Sequence, residues 1–388
     1  MHKLKTSSVK TSSVKISSVL AQTLLGATAT VSALFAATVT ALPLIVEQGS
    51  IQQVAHEQSG SHANTQVQKG YNFIERRADP WVIKAPDGGY FFTASVPEFD
   101  LIEIRYAKTL AGLATAKTRA VWHKHATGPM SIDIWAPEMH FIDGKWYIYY
   151  AASDINTRFH NRMYVLGLEG DDPMTGEWKE LGRMQTERSA FSLDETSFSI
   201  GDRHYAIWAQ QDRAKTYNTG LVIAKMVSPT ATALPETIIS EPLLEWERLG
   251  FKVNEGAAVI KHGGKVFVSY SASATDHRYS MGLIWADEDA DLLDADSWHK
   301  LPEPVFTSAP EFKRYGPGHN SFVVAEDGKT LLMFYHARDY LELQGTPLTD
   351  GNRHTRVRAI TFDDKGFPEF HNQLSDQQTL DMVGYSLY

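Results

Sequence analysis

The sequence predicts an all-β protein, a five-bladed β-propeller with four-stranded antiparallel blades around a central channel. Three observations lead to this fold class. A unit recurs five times at a spacing of roughly sixty residues. Each unit contains a tight-turn signal between two β-prone runs. No amphipathic helical pattern of any length follows the N-terminal region, which argues against α/β folds.

The repeat is visible when the five units are aligned on their turns. The units are ADPWVIKAPDGGYFFTAS from Ala78, APEMHFIDGKWYIYYAAS from Ala136, LDETSFSIGDRHYAIWAQ from Leu193, NEGAAVIKHGGKVFVSYSAS from Asn254 and GHNSFVVAEDGKTLLMFYHAR from Gly318. Each has a polar opening, a short apolar strand, a Gly-containing turn and an aromatic-rich strand. Asp-Gly and Gly-Gly turns favour hairpins because tight hairpin turns need positive φ.

The remainder of each unit supplies further strands. Strand-like runs such as RMYVLGLE, GLVIAKMV and MGLIWADE follow three of the hairpins, and segments near tryptophan such as EWKELG and SWHKLP come after them. A hairpin with a third and a fourth strand is the composition of a propeller blade. Residues 71–388 are therefore expected to form the propeller.

The first seventy residues have a different composition. Residues 1–41 combine a basic, Ser-rich start with a long uncharged run and small residues near Ala41, which is typical of a signal peptide. A membrane anchor is the alternative, since the run approaches bilayer-spanning length. Its Ala/Thr-rich composition favours cleavage. Residues 42–70 are expected to be a flexible linker, and the protein is expected to be periplasmic or extracellular, without a stable membrane partner.

The charge distribution argues against one class of partner, and the cysteine content indicates how the fold is stabilised. The formal net charge of −9 is spread along the chain, which argues against nucleic acid as a partner and fits a neutral substrate. The chain has no cysteine, so its stability must come from a large core rather than from disulfides.

The polar residues that open the units predict the functional site. In a propeller the first strand of each blade lines the channel, so these openings converge on the axis. They are Asp79, Glu138, Asp194 with Glu195, Glu255, and His319 with Asn320. Any one of them could be a turn or cap residue. Several carboxylates around one axis indicate a site, because clustered carboxyls separate their pKa values and provide an acid and a base.

Six motifs in order give the chain a family resemblance. They are RADPW at residues 77–81, WAPE at 135–138, SLDET at 192–196, FKVNEG at 251–256, YGPGHNSF at 315–322 and NRHTR at 352–356. With these motifs the sequence from about residue 73 onward resembles glycoside hydrolase family 43. Within that family it is similar to the exo-acting α-L-arabinofuranosidases that cut 1,5-linked arabinan.

The resemblance implies an inverting hydrolysis by three carboxylates. Asp79 matches the family's general base, which activates a water. Glu255 matches the general acid, which protonates the leaving oxygen. Asp194 matches the third carboxylate, which orients Glu255 and raises its pKa. Because Glu195 follows Asp194 directly, the sequence leaves open which of the two faces the pocket.

Four further residues carry less specific expectations. Trp135 is expected to form an apolar wall of the sugar site, or to pack in the core. Glu138 is expected to bind sugar hydroxyls or to balance charge. Arg356, with Arg353 as its rival, is expected to reach Asp79 and lower its pKa, the alternative being a structural role in closing the propeller between its last and first blades. Near His319 the resemblance implies a calcium ion held mainly through waters, the alternative being a buried, hydrogen-bonded histidine. No cofactor is expected to take part in the chemistry.

Two alternative functions remain open from the sequence, one of them in a different class. The same scaffold and carboxylates can carry a β-xylosidase or an endo-arabinanase, because a fold does not determine a substrate. A propeller that binds glycans without cleaving them is the second alternative. The complete set of three carboxylates argues for an enzyme. The expected partner is arabinan or an arabinose-containing oligosaccharide.

Overall fold

Residues 72–387, the part of the chain that the computed structural model describes, form five four-stranded antiparallel sheets. In each sheet the strands are ordered as they occur in the sequence, and the five-bladed propeller predicted from the repeats is confirmed. The predicted signal peptide and linker lie outside the described residues. No helix within the described range has the length and apolar character needed to cross a membrane.

The blades are numbered in chain order. Blade 1 contains β1 (Ala78–Lys84), β2 (Tyr90–Ser95), β3 (Leu101–Ala107) and β4 (Thr118–His123). Blade 2 contains β5 (Ile132–Ile142), β6 (Lys145–Ser153), β7 (Arg162–Glu169) and β8 (Glu177–Arg183). Blade 3 contains β9 (Ser192–Ile200), β10 (Arg203–Gln210), β11 (Gly220–Ser228) and β12 (Ala231–Ser240). Blade 4 contains β13 (Asn254–His262), β14 (Lys265–Ala272), β15 (Ser280–Asp287) and β16 (His299–Lys300). Blade 5 contains β17 (Tyr315–Val324), β18 (Leu331–Arg338), β19 (His354–Phe362) and β20 (Pro368–Glu369).

Helices are short and lie between strands or after the last blade. The α-helices are α1 (Leu110–Leu113) and α2 (Asp376–Met382), and the 3₁₀ turns are Ile155–Thr157, Glu245–Arg248, Ala295–Ser297 and Pro310–Phe312. The hairpin turns follow the sequence signals. Asp143 and Gly144 both have positive φ, 50° and 78°, as do Gly263 and Gly264 at 57° and 75°. These values match the two-residue turns that suit the twist of antiparallel strands.

The hydrophobic core is divided among the blade interfaces. Between blades 1 and 2, for example, Ile102 and Ile104 pack in one cluster with Met139 and Ile148, and all four are fully buried. Four similar clusters fill the other interfaces. Burying each such side chain contributes about 1.5–3 kcal/mol. The blades are therefore held to each other by face-to-face packing.

The first strands of neighbouring blades contact each other around the whole ring, and β17 contacts β1. The segment before β1 reinforces this closure. Ile74 forms an antiparallel bridge with Thr355 in β19. The N–H of Thr355 donates to the carbonyl of Ile74 at 2.9 Å. The beginning of the propeller therefore extends its last blade.

Every inner strand contains a β-bulge at the same place. The pairing register between the first and second strand of each blade shifts at a residue with positive φ. The residues at the equivalent place in the five blades are Asp79, Ala136, Asp194, Gly256 and His319, with φ between 43° and 58°. Blades 2 and 5 have a second shift, at Asp133 and Gly316. A bulge adds a residue to one strand and re-aims the side chains around it. The bulges therefore determine which side chains face the axis.

The equivalence of blade openings predicted from the sequence was wrong in two blades. In blade 2 the bulge residue is Ala136, and Glu138 follows two positions later. In blade 4 it is Gly256, and Glu255 precedes it. An alignment of the units on their turns does not allow for the extra residue of the bulge, so it places Glu138 and Glu255 at openings that Ala136 and Gly256 occupy.

Candidate active site

A cavity of about 460 Å3 opens at the end of the propeller where the bulges lie. Asp79, Asp194, Glu255 and His319 all line it. They come from four different blades and are brought together by the ring of inner strands. Three of the five predicted axial positions therefore supply carboxyls to one cavity.

Asp79 is buried and surrounded by donors. Its Oδ2 accepts a hydrogen bond from the Ser95 hydroxyl at 2.6 Å. Its Oδ1 accepts from Arg353 Nη1 at 3.1 Å and lies 3.2 Å from His336 Nδ1 and 3.4 Å from His319 Nδ1. Burial alone would raise the pKa of Asp79, but Arg353 and the two histidines together lower it well below its usual value. Asp79 is therefore ionised throughout the neutral range.

Glu255 has the opposite electrostatic environment. Burial raises its pKa to about 7, against the effect of the Tyr279 hydroxyl, which donates to Oε1 at 2.8 Å. The Asp79 charge adds to the increase, and Arg353 opposes it. Asp79 and Glu255 thus line the same cavity with pKa values shifted in opposite directions, as an acid and a base require.

Asp194 contacts the backbone beside Glu255. The N–H of Gly256 donates to Asp194 Oδ2 at 3.1 Å, so this carboxylate holds the chain one residue from Glu255. Burial and the charge of Glu255 raise the pKa of Asp194, whereas the Gly256 N–H favours its ionised form. Because the charge of one carboxyl disfavours ionisation of the other, the two do not both ionise readily.

Glu195 is excluded from the cavity. Its two carboxyl oxygens are buried and have no hydrogen-bond partner among the described residues, and burial raises its pKa to about 8. Asp194, the bulge residue, is the one that lines the cavity. The bulge in the backbone at Asp194 therefore determines that Asp194, and not Glu195, faces the cavity.

Aromatic side chains form much of the remaining wall. Trp135 lines the cavity with its ring perpendicular to that of Phe99, 6.0 Å between centroids. Its indole N–H is buried and has no acceptor within residues 72–387. An indole N–H on an apolar wall can donate to a sugar hydroxyl while the ring packs against the sugar. The other aromatic rings in the wall are Phe159, Phe191, Phe251 and Tyr279.

Two predicted substrate-binding residues lie elsewhere. Glu138 is buried beside His140, whose Nε2 is 3.1 Å from Glu138 Oε2, and it does not line the cavity. Arg356 pairs with Asp339 and donates to the carbonyl of Lys313. Arg353, the rival named from the sequence, is the arginine that reaches Asp79.

His319 lies between two of the carboxylates. Its Nδ1 is 3.4 Å from Asp79 Oδ1 and 3.8 Å from Asp194 Oδ2, and burial lowers its pKa. Over residues 72–387, no group of three or more histidine, aspartate or glutamate side chains is arranged to hold a metal ion. A calcium ion prefers six to eight oxygen ligands. The side chains around His319 therefore do not form a calcium cage.

Sequence reasoning missed three residues that surround the carboxyls. Ser95, at the end of β2, and His336, in β18, both contact Asp79, and Tyr279, just before β15, contacts Glu255. The first two are polar residues at the ends of aromatic-rich strands, within FFTAS and FYHAR. That signal was present in the repeat alignment but lies on the second strand of the blade rather than the first.

Comparisons with known proteins identify the family of the chain. Residues 73–368 match the family model for glycosyl hydrolases family 43. The chain is 47% identical over 346 residues to an extracellular exo-α-(1→5)-L-arabinofuranosidase of Streptomyces avermitilis, covering 89% of this chain and 71% of that protein. It is 44% identical over 274 residues to a protein of the same name from Streptomyces chartreusis, covering 71% of this chain and 84% of that one.

A solved structure supports the same relationship. The crystal structure of an α-L-arabinofuranosidase from Lactobacillus brevis superimposes with a TM-score of 0.75 at 48% sequence identity. The match covers 77% of this chain and 94% of that one.

Proposed function

The chain belongs to glycosyl hydrolases family 43, and from that premise we propose that it releases single L-arabinofuranose units from 1,5-linked arabinan or arabino-oligosaccharides, with inversion at the anomeric carbon. It is a glycoside hydrolase. The substrate is inferred from relatives that are 44–47% identical and named for this activity. The observation that carries the proposal is the pair Asp79 and Glu255, which line one cavity with opposite pKa shifts.

In this mechanism Asp79 is the general base. Its carboxylate accepts a proton from a water molecule as the water oxygen attacks the anomeric carbon. Arg353 and Ser95 keep Asp79 ionised and fix its orientation. Glu255 is the general acid and donates its proton to the glycosidic oxygen as the bond between that oxygen and the anomeric carbon breaks. After each turnover both carboxyls exchange protons with solvent and return to their starting states.

Asp194 orients the acid and tunes its pKa. Its carboxylate accepts the Gly256 N–H and thereby fixes the backbone next to Glu255. Asp194 and Glu255 are electrostatically coupled, and in this proposal the Gly256 N–H keeps Asp194 ionised while Glu255 carries the proton that the leaving group needs. Inverting enzymes separate acid and base by about 6.5–9.5 Å, enough to admit the water, whereas retaining enzymes use about 5–5.5 Å.

The family's chemistry needs no cofactor. A calcium ion near His319 would have to be held through waters, since the surrounding side chains do not supply an oxygen cage, and no catalytic step is assigned to it.

Trp135 is proposed to bind the sugar through its ring and its N–H.

We also propose that residues 1–41 direct export and that residues 42–70 link them to the propeller. The two Streptomyces relatives are named extracellular, which supports export. N-terminal sequencing of the secreted protein would test the cleavage position near Ala41.

The product profile tests the proposed activity. The purified protein is incubated with linear arabinan, branched arabinan and xylo-oligosaccharides, with Glu255→Gln as the matched control, and products are sampled from the first minutes. Arabinose as the sole early product from linear arabinan supports the proposal. Early release of longer oligosaccharides would indicate an endo-arabinanase, xylose would indicate a β-xylosidase, and binding without cleavage would indicate a glycan-binding propeller.

A further inference from the structure

The bulge residues are connected between blades by a recurring hydrogen bond. In four of the five bulges, the backbone N–H donates to a side chain of the preceding blade. The pairs are Ala136 to Ser95 Oγ at 2.8 Å, Gly256 to Asp194 Oδ2 at 3.1 Å, His319 to Ser271 Oγ at 2.8 Å and Asp79 to His336 Nδ1 at 3.1 Å. Buried backbone donors need acceptors, so each side chain fixes a bulge in place.

His336 differs from the other three acceptors because it is an aromatic base. It is fully buried, and burial lowers its pKa to about 3, against the effect of the Asp79 carboxylate. The ring is therefore neutral near neutral pH, and a neutral imidazole accepts at one nitrogen and donates at the other. Nδ1 lies 3.1 Å from the backbone nitrogen of Asp79 and 3.2 Å from its Oδ1, so that it accepts from the N–H in one neutral tautomer and donates to the carboxylate in the other; both tautomers fix Asp79.

The face of the His336 ring packs on a second residue of the site. Its ring is parallel to that of Tyr279 within 3°, with 5.7 Å between the centroids. Tyr279 is 1% exposed, and its hydroxyl donates to Glu255 Oε1 at 2.8 Å. A Cβ on Gly318 would lie 2.4 Å from the Tyr279 ring, so the backbone also confines this tyrosine. Tyr279 therefore has little freedom to move relative to His336.

We propose that His336 is a positioning residue for both catalytic carboxyls: its Nδ1 fixes the backbone of the base Asp79, and its ring face fixes Tyr279, which holds the acid Glu255. The inference rests on the roles proposed above for Asp79 and Glu255. One side chain of blade 5 thereby links the base in blade 1 to the acid in blade 4. A displacement of about 1 Å between reacting groups can reduce the rate about a hundredfold, so such a link matters for catalysis.

Other charged groups face the same carboxyls and must be held constant in a test. Asp79 is faced by Arg353 and His319 as well as by His336. Glu255 is faced by Asp79 and Arg353, and its charge also reaches Asp194. Substitutions at His336 and Tyr279 leave all of these charges in place, because His336 is neutral and the tyrosine hydroxyl is protonated.

Two variants separate the functions of His336. His336→Phe keeps an aromatic face for Tyr279 but removes the acceptor of the Asp79 N–H. His336→Asn keeps an acceptor near the position of Nδ1 but removes the ring. The measurement is the pH profile of kcat/KM on arabino-oligosaccharide, whose acid limb reports the base and whose alkaline limb reports the acid.

For His336→Phe we expect kcat/KM to fall about a hundredfold, with the acid limb moved to higher pH and the alkaline limb unchanged. The reason is that Asp79 is no longer held among the donors that lower its pKa. For His336→Asn we expect a smaller loss, with the acid limb retained and the alkaline limb moved to higher pH, because the Tyr279 hydroxyl that lowers the pKa of Glu255 is less well held.

Tyr279→Phe provides the decisive second variant, since it keeps the stacked ring and removes only the hydroxyl. We expect its alkaline limb to move to higher pH and its acid limb to stay in place. This variant can be measured even if the His336 variants do not fold. Limbs that coincide with those of the wild type in every folded variant would overturn the inference, even with lowered thermal stability. A wild-type protein that cleaves no arabinoside would instead refute the proposed function.

Discussion

Arg353 Nη1 lies 3.1 Å from Asp79 Oδ1, although 274 positions separate the two residues in the sequence. Arg353 ends a loop between β18 and β19 that is secured by Asp350, whose carboxylate accepts hydrogen bonds from the Tyr340 hydroxyl and the Gln344 N–H. The contact between blades 5 and 1 therefore places the positive charge of Arg353 beside the Asp79 carboxylate.

Replacing Arg353 by Met keeps a long side chain and removes the charge. Because the guanidinium lowers the pKa of Asp79 and, to a smaller degree, that of Glu255, both limbs of the pH profile of kcat/KM should move to higher pH, the acid limb further. Leaving a buried carboxylate without its partner also costs about 3–5 kcal/mol of folding stability. Arg353→Lys is the control. An acid limb unchanged in Arg353→Met would contradict the assignment of Asp79 as base.

Asp194→Asn separates the charge of this residue from its hydrogen bond. The amide oxygen can still accept the Gly256 N–H, but the negative charge that we propose to disfavour ionisation of Glu255 is lost. The pKa of Glu255 should fall, so the alkaline limb of kcat/KM should move to lower pH. Asp194→Ala removes both functions and should be less active than Asp194→Asn. An alkaline limb that moves upward in Asp194→Asn would refute the tuning role.

Glu195→Gln should stabilise the protein selectively at high pH. The folded-state pKa of Glu195 is raised to about 8, so its contribution to stability is fully present below its unfolded pKa and is lost as pH rises through 8. A neutral glutamine has no such loss. The Tm of the variant relative to wild type should therefore increase from pH 5 to pH 8.5, whereas kcat/KM at pH 6 should stay within about twofold. A Tm difference between variant and wild type that does not depend on pH would contradict the buried, neutral state of Glu195.

Gly256→Ala tests the bulge geometry. Gly256 has φ of +58°, and an added Cβ would lie 2.9 Å from His319 Cγ. The matched control is Gly144→Ala, where φ is +78° but a Cβ would meet nothing within 4 Å. Each should lose about 1–2 kcal/mol of stability from the left-handed backbone. In addition, Gly256→Ala should lower kcat/KM at least about tenfold. Equal kcat/KM in the two variants would show that the bulge does not position the site.

The fold was predictable because its signals are local. The Asp-Gly and Gly-Gly turns specify hairpins through backbone chemistry, and their regular recurrence specifies the number of blades. The positions of Asp79, Asp194 and Glu255 on inner strands followed from the same repeat. Trp135 also lines the predicted cavity.

The positions of the bulges, and the question of which side chains of a strand face the site, were not predictable in the same way. A bulge inserts one residue without a distinctive sequence, and it places Ala136 rather than Glu138 at the opening of blade 2. Arg353 and Arg356 are three positions apart, and only the start of β19 at His354 decides which of them faces Asp79. Ser95 and His336 act from second strands, so their contacts depend on how neighbouring blades pack.

The anomeric configuration of the first product tests the central claim most directly. Proton NMR spectra are recorded during the first minutes of hydrolysis of an α-1,5-linked arabino-oligosaccharide, before the released sugar mutarotates. Action of Asp79 as base on water and Glu255 as acid predicts β-L-arabinofuranose as the first product. The α-anomer as the first product would show retention through a covalent intermediate and would contradict the proposed mechanism.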